Sequence, residues 1–298
     1  MQVPAAFAAV VLIWSTTPLA IQWSSEGQGF LFSVFSRMML GVVLCLLIVK
    51  VMRIALPWHK KACEAYLAAT VSIYASMLCV YWGAQYIPSG VISVLFGLTP
   101  IVTGVLAVIW LGESKFTTTR IIGLLLAVAG LAIVFGADFS LGEKAMQGTC
   151  AVLLSIALAA VSTVWLKRTN TGFSPVAITT GALIISTPLY ALTWLLFDGQ
   201  LPTEIPARAL SATVYLGTIG SVAGFILFFY LLKNMEASRA TLLTLITPVL
   251  ALLLGHALNN ERVGIEVWLG AGMILVGLMS HEWGDILLKK NSAKIIDR

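Results

Sequence analysis

The chain repeats itself at a fixed distance. Leu98-Thr99-Pro100-Ile101-Val102 returns as Ile246-Thr247-Pro248-Val249-Leu250, and Gly112-Glu113 returns as Asn260-Glu261, each 148 positions later. Past the glutamates one position is lost, so Gly123 and Gly130 match Gly270 and Gly277 at a shift of 147. A tandem duplication on this scale restricts the fold to two like units packed on each other. Around these markers the chain is apolar in stretches of about 20 residues, the length a helix needs to cross a bilayer. They run over residues 3–23, 30–50, 63–82, 87–111 and 119–136 in the first half, and 147–167, 175–197, 210–232, 237–258 and 264–283 in the second.

The stretches are continuously apolar, whereas barrel strands would alternate, so the fold class is all-α and polytopic with ten transmembrane helices. A charged fraction of 10% agrees, since soluble chains carry about a quarter. Five spans per half is an odd number, so the second unit lies upside down. The result is two inverted five-helix repeats, residues 1–140 and 141–284, followed by a basic tail, 285–298. The first stretch, Val3 to Trp23, lacks the basic leader and small-residue cleavage site of a signal peptide and reads as a retained helix.

Basic residues give the orientation. Lys50, Arg53, Lys60, Lys61, Lys115, Arg120, Lys167, Arg168, Lys233, Arg239 and four tail cations fall on one side, against Lys144, Arg208 and Arg262 on the other. The positive-inside rule then places both termini in the cytoplasm. This bias also accounts for the net charge of +5, so no nucleic-acid partner is implied. Inverted repeats related by an axis in the membrane plane can exchange two conformations, one open to each side, around a midplane site.

The ten spans, Trp14-Ser15 in the first, Thr-Pro in the fourth and ninth, and Gly112-Glu113 and Asn260-Glu261 closing those spans resemble the drug/metabolite transporter superfamily, and within it the EamA-type exporters. The resemblance implies a central cavity lined by helices 1–4 and 6–9, with helices 5 and 10 outside it. It also implies a bacterial inner-membrane exporter, since family members export aromatic and other neutral amino acids. In one respect the halves diverge: Trp14-Ser15 maps onto Ala159-Ala160 at a shift near 145, so the cavity walls are unequal.

Thr99-Pro100 and Thr247-Pro248 fall near the middle of their spans. Each proline frees a backbone carbonyl that protein or cavity water must satisfy. As a matched pair they read as hinges, with a static packing kink as the alternative. Arg37 is the charged residue placed well inside a span, and it either anchors a substrate carboxylate or snorkels to the interface. All thirteen acidic residues fall in loops, tails or span ends, so no midplane carboxylate offers a proton or sodium relay. Glu113 and Glu261 read as caps or as a gate. Trp14, Tyr74, Tyr81 and Trp165 are expected to line the cavity, and Trp23, Trp82, Tyr86, Trp110 and Trp268 to form interfacial belts. Ser15, Ser93, Thr99, Ser162, Thr244 and Thr247, with Thr17 and Thr163, add hydroxyls. The glycines of spans five and ten read as close-packing stripes.

The reading is a secondary transporter that exports small neutral zwitterions, amino acids with apolar or aromatic side chains first among them, by alternating access. A broad exporter of lipophilic amphiphiles and a gated channel are the alternatives. No intramembrane nucleophile and base, metal-ligand spacing or Walker loop occurs, so no enzyme, cofactor or metal is expected. Partners are the substrate and the bilayer, and a homo-oligomer is compatible with the chain.

Overall fold

The computed structural model describes residues 2–112, 118–140, 143–169, 172–240, 243–244, 247–260, 264–277 and 279–280. The described residues are helical throughout the apolar stretches, in the order α1 (Val3–Ser25), α2 (Phe30–Val51), α3 (Lys60–Gly83), α4 (Ser89–Leu111), α5 (Thr118–Ser140), α6 (Glu143–Thr169), α7 (Pro175–Phe197) and α8 (Ala207–Asn234). Then come α9, made of the turn Ala237–Ala240 and the helix Thr247–Asn259, and α10 (Ile265–Gly277). Seven of these are long and apolar enough to span a bilayer, and α5, α9 and α10 contribute shorter apolar stretches. Side chains such as Leu12, Leu47, Leu196 and Phe197 stand exposed on the outer surface. That surface faces lipid, where a helix satisfies its own backbone and apolar side chains carry no penalty.

The inverted relation of the halves is visible in single contacts. A Cβ on Gly130 would sit 2.6 Å from the Gly270 carbonyl oxygen, and one on Gly277 would sit 2.6 Å from that of Gly123. Gly123 corresponds to Gly270 and Gly130 to Gly277, so each glycine meets the counterpart of the other. That reciprocity is the mark of a two-fold axis passing between α5 and α10. The absence of side chains at the crossing lets the two backbones touch.

A second pair of equivalent contacts lies at opposite ends of the bundle. Gln22 Nε2 donates to the carbonyls of Ala84 (3.4 Å) and Ile87 (2.9 Å). Lys167 Nζ donates to those of Leu232 (2.7 Å) and Met235 (2.5 Å). Lys167 is Gln22 shifted by 145, and Leu232 and Met235 are Ala84 and Ile87 shifted by 148. In each half the last turn of the first helix thus caps the loop between the third and fourth. Both clamps are closed together, so they tie each half into one body and do not alternate as gates.

Two features depart from uniform helix. Helices α3 and α8 each contain a π-helical stretch, Val71–Ser76 and Leu216–Ala223, near their midpoints. A π turn widens the ring and offers carbonyls to outside donors, and the Tyr190 hydroxyl from α7 lies 2.7 Å from the Ile73 oxygen and 2.9 Å from that of Tyr74. The fourth and ninth helices are interrupted beside the Thr-Pro pairs. Helix α4 stops at Phe96, turns through Gly97 and Leu98, and restarts at Thr99. Helix α9 restarts at Thr247. Each proline occupies the first turn of its second segment, where its fixed φ suits a helix start and its missing N–H leaves only the carbonyl four residues earlier without a helical donor.

Candidate functional site

Both interruptions face one central cavity of about 90 Å³, space for several water-sized groups. Its wall includes Trp14, Thr17 and Ile21 of α1, Arg37 of α2, Ser72 and Ser76 of the α3 π stretch, and Ser93 and Thr99 of α4. Thr163 of α6, Phe225 and Phe228 of α8 with neighbouring Gly220, and Thr244 and Thr247 of α9 complete it. No described residue of α5, α7 or α10 lines it. Placing α5 and α10 outside agrees with the family resemblance, and α7 is the one helix expected at the cavity that stays behind the wall.

Arg37 does not snorkel. It is 1% exposed, with Nε donating to Ser221 Oγ at 2.8 Å and Nη1 to the Tyr81 hydroxyl at 3.4 Å. Its guanidinium carbon lies 5.9 Å from the centre of the Tyr81 ring. Gly220 makes room for it: a Cβ there would stand 3.3 Å from Nη2. Among the described residues the ion pairs are Arg208–Glu26 and Arg239–Glu236, neither of which reaches Arg37. A buried guanidinium held by two neutral hydroxyls keeps its full charge and donors to spare.

The Thr-Pro pairs solve a local problem in the same way twice. Without the proline N–H, the carbonyl four residues earlier loses its helical donor. Those carbonyls belong to Phe96 and Thr244, and they accept from Thr99 Oγ1 at 2.6 Å and Thr247 Oγ1 at 3.3 Å. Each threonine therefore repairs the break made by the proline beside it. Ser93 and Thr244 line the cavity as expected, and so does Trp14, whose ring lies 5.1 Å from that of Phe228.

Five expected cavity residues lie elsewhere. Tyr81 reaches the site through Arg37. Ser15 is buried against its own helix, donating to the Val11 carbonyl at 2.7 Å. Ser162 bridges to the Ala68 carbonyl at 2.6 Å. Tyr74 turns toward α7, with its hydroxyl 2.7 Å from Thr193 Oγ1 and its ring edge-on to Tyr190. Trp165 donates to Glu64 at the end of the bundle, 3.2 Å away. The helical period places a residue on a face but does not say which neighbour that face meets. Glu113, Glu261 and the tail 285–298 lie outside the described residues.

Sequence reasoning missed the π-stretch serines and a cluster that seals the bundle at the end holding the α1–α2 and α3–α4 loops. Trp23 Nε1 and Arg208 Nη2 both donate to Asn259 Oδ1 at 3.0 Å, and Asn259 Nδ2 donates to Gln22 Oε1 at 3.3 Å. Arg208 stacks 4.3 Å over the Trp23 ring and lies 3.8 Å from Glu26. Trp23 thus serves as more than a belt residue. Shifting Trp23 by 145 and Arg208 and Asn259 by 148 gives Arg168, Lys60 and Leu111 at the opposite end, two cations and an alkyl chain. One signal was legible in advance: the positions that are polar and joined at one end are two cations and a leucine at the other. Asn259→Ala removes the shared acceptor and should loosen this end. In a background with the four native cysteines replaced, a cysteine at Ser93 is then expected to react with a maleimide severalfold faster in detergent, and an unchanged rate would deny the seal.

Comparison with known proteins agrees with this architecture. The chain is 29% identical over 214 residues to an uncharacterized transporter of Archaeoglobus fulgidus, covering 70% of this chain and 72% of the relative. It is 24% identical to the uncharacterized transporter YoaV of Bacillus subtilis, covering 91% and 94%. It is 25% identical to a probable terminal-alkyne amino-acid exporter of Streptantibioticus cattleyicolor, covering 90% and 89%. A solved crystal structure shares the fold at a TM-score of 0.69 and 16% identity, over 94% of this chain and 97% of that one. The family model for EamA-like transporters matches twice, over residues 4–136 and again over 146–280, one copy per half. With its duplicated, inverted halves closed around one cavity, the chain belongs to the EamA-like transporter family and is a multi-pass membrane transporter.

Proposed function

We propose that this transporter exports small neutral zwitterions, amino acids with apolar or aromatic side chains, across a bacterial inner membrane by alternating access. The carrying observation is Arg37, a buried cation with no carboxylate paired to it among the described residues, in the wall of an otherwise apolar and hydroxyl-lined cavity. One guanidinium suits one carboxylate, while multiply anionic substrates call for several cations. The amino-acid class is supported by the similarity to the probable terminal-alkyne amino-acid exporter of Streptantibioticus cattleyicolor.

With both termini cytoplasmic, the Trp23–Arg208–Asn259 seal closes the outer end and the cations Lys60 and Arg168 stand at the inner one. A hydrogen-bonded cluster outside, with no matching cluster inside among the described residues, favours a carrier that opens to the cytoplasm first, as an exporter must to load. The halves 1–140 and 141–284 rock as clamped bodies, with Pro100 and Pro248 as hinges between the segments of α4 and α9. No carboxylate lines the cavity among the described residues, so transport runs as facilitated diffusion or exchange.

The test is uptake of labelled methionine, tryptophan and threonine into liposomes preloaded with unlabelled amino acid. Saturable, trans-stimulated uptake insensitive to a proton ionophore is expected. Absence of uptake for all three by folded protein, with transport of hydrophobic cations instead, would favour the amphiphile exporter, which the apolar wall of Trp14, Ile21, Phe225 and Phe228 also suits.

A further inference from the structure

Four cavity threonines share a property that bears on the other end of a zwitterion. Thr17 Oγ1 donates to the Ile13 carbonyl at 2.8 Å, Thr163 Oγ1 to that of Ala159 at 2.8 Å, Thr99 Oγ1 to Phe96 at 2.6 Å and Thr247 Oγ1 to Thr244 at 3.3 Å. A hydroxyl has one hydrogen and two lone pairs. With the hydrogen committed to the backbone, each of the four presents only lone pairs to the cavity. They stand on α1, α6, α4 and α9, while the donor, Arg37, stands on α2.

The cavity is therefore polarised: the guanidinium stands on one wall, and on the others these four threonine hydroxyls can only accept, beside the hydroxyls of Ser72, Ser76, Ser93 and Thr244. The break in α4 does not oppose this, because the C-terminus of Ser89–Phe96 meets the N-terminus of Thr99–Leu111 and their dipoles offset each other. Resting on the amino-acid reading above, we infer that Thr17, Thr99, Thr163 and Thr247 form an ammonium subsite. A substrate lies with its carboxylate on Arg37 and its –NH₃⁺ among these oxygens, within reach of the Trp14 and Phe228 ring faces. An ammonium has three hydrogens to donate and no lone pair, which matches a surface that accepts and does not donate. Holding it by hydroxyls spares the site a buried carboxylate, which would neutralise Arg37 and remove the pull on the substrate. The specificity that follows is for a free α-amino group together with a free carboxylate.

The experiment measures binding to purified protein of three probes: methionine, its desamino analogue 4-(methylthio)butanoate, and its decarboxylated analogue 3-(methylthio)propylamine. Wild type is expected to bind methionine about tenfold or more tightly than either analogue, as the loss of one charge-assisted contact set requires. Thr17→Val with Thr163→Val keeps the side-chain shape and leaves the Thr-Pro repairs intact. In that variant methionine affinity should fall about tenfold while the desamino analogue binds as before. Arg37→Gln should weaken methionine and the desamino acid together. Equal wild-type affinity for methionine and 4-(methylthio)butanoate, or a threonine variant that weakens both alike, overturns the ammonium subsite and leaves the amino-acid exporter standing. Failure of wild type to bind any of the three overturns both.

Discussion

Replacing Arg37 by Gln is expected to abolish transport and, at the same time, to make the empty protein more stable. Carboxylate capture rests on charge-assisted hydrogen bonds worth about 1.5–3 kcal/mol each, so losing the guanidinium should cut transport about a hundredfold or more. Stability moves the other way. A buried cation without a counter-ion is a cost of several kcal/mol that folding must carry, and Arg37 is 1% exposed, hydrogen-bonded to the Ser221 and Tyr81 hydroxyls and in no ion pair among the described residues. A neutral side chain of similar size removes that cost and retains a donor for Ser221. The melting temperature of Arg37→Gln in detergent should therefore rise by a few degrees as transport vanishes. Arg37→Lys should not rescue, because a single ammonium cannot reproduce the planar fork that meets both hydroxyls. A variant that transported normally, or that lost its fold along with its transport, would return Arg37 to a structural role.

The second large effect concerns folding alone. At the α5–α10 crossing, a Cβ on Gly277 would meet the Gly123 oxygen at 2.6 Å and the Ala127 nitrogen at 2.8 Å, and one on Gly130 would meet the Gly270 oxygen at 2.6 Å. The obstacles are backbone atoms, which cannot rotate aside as a side chain can. Gly130→Leu or Gly277→Leu must push the helices apart, and overpacking of this kind costs about 1–3 kcal/mol or more. Folded yield on size-exclusion chromatography and melting temperature should fall sharply for either leucine, and measurably for alanine. Gly272, with nothing within 4 Å of a built Cβ, is the control that should tolerate alanine. Wild-type melting temperatures for Gly130→Ala and Gly277→Ala would show that the helices do not cross on these residues.

Much of the fold was legible because the bilayer writes it into the chain one dimension at a time. Residues 175–197 were expected to span and Pro175–Phe197 does; 30–50 was expected and Phe30–Val51 is observed. Hydrophobic length answers to membrane thickness, which is a local constraint. The same locality explains the failures. A hydropathy window averages over Phe96, Gly97 and Leu98, so it cannot register that α4 stops there and restarts, and the π stretches of α3 and α8 leave no mark on composition at all.

The candidate site divides along the same line. Arg37 and the Thr-Pro pairs could be picked out because a charge and a proline are costly inside a membrane wherever they fall. Where they point could not be read, nor could the departures of Ser15, Tyr74, Ser162 and Trp165, since each has a polar group that several neighbours could satisfy. The sequence by itself determined ten apolar spans, their duplication and inversion, the two breakable helices and the one intramembrane cation, because each follows from the cost of polar groups in lipid or from counting residues. Only the tertiary structure decided that Arg37 stands in the cavity wall with no ion pair among the described residues, that the cavity threonines commit their hydrogens to backbone carbonyls and that Gln22 and Lys167 clamp matching loops. Those depend on which helix faces which, a property of packing in three dimensions that no single helix encodes.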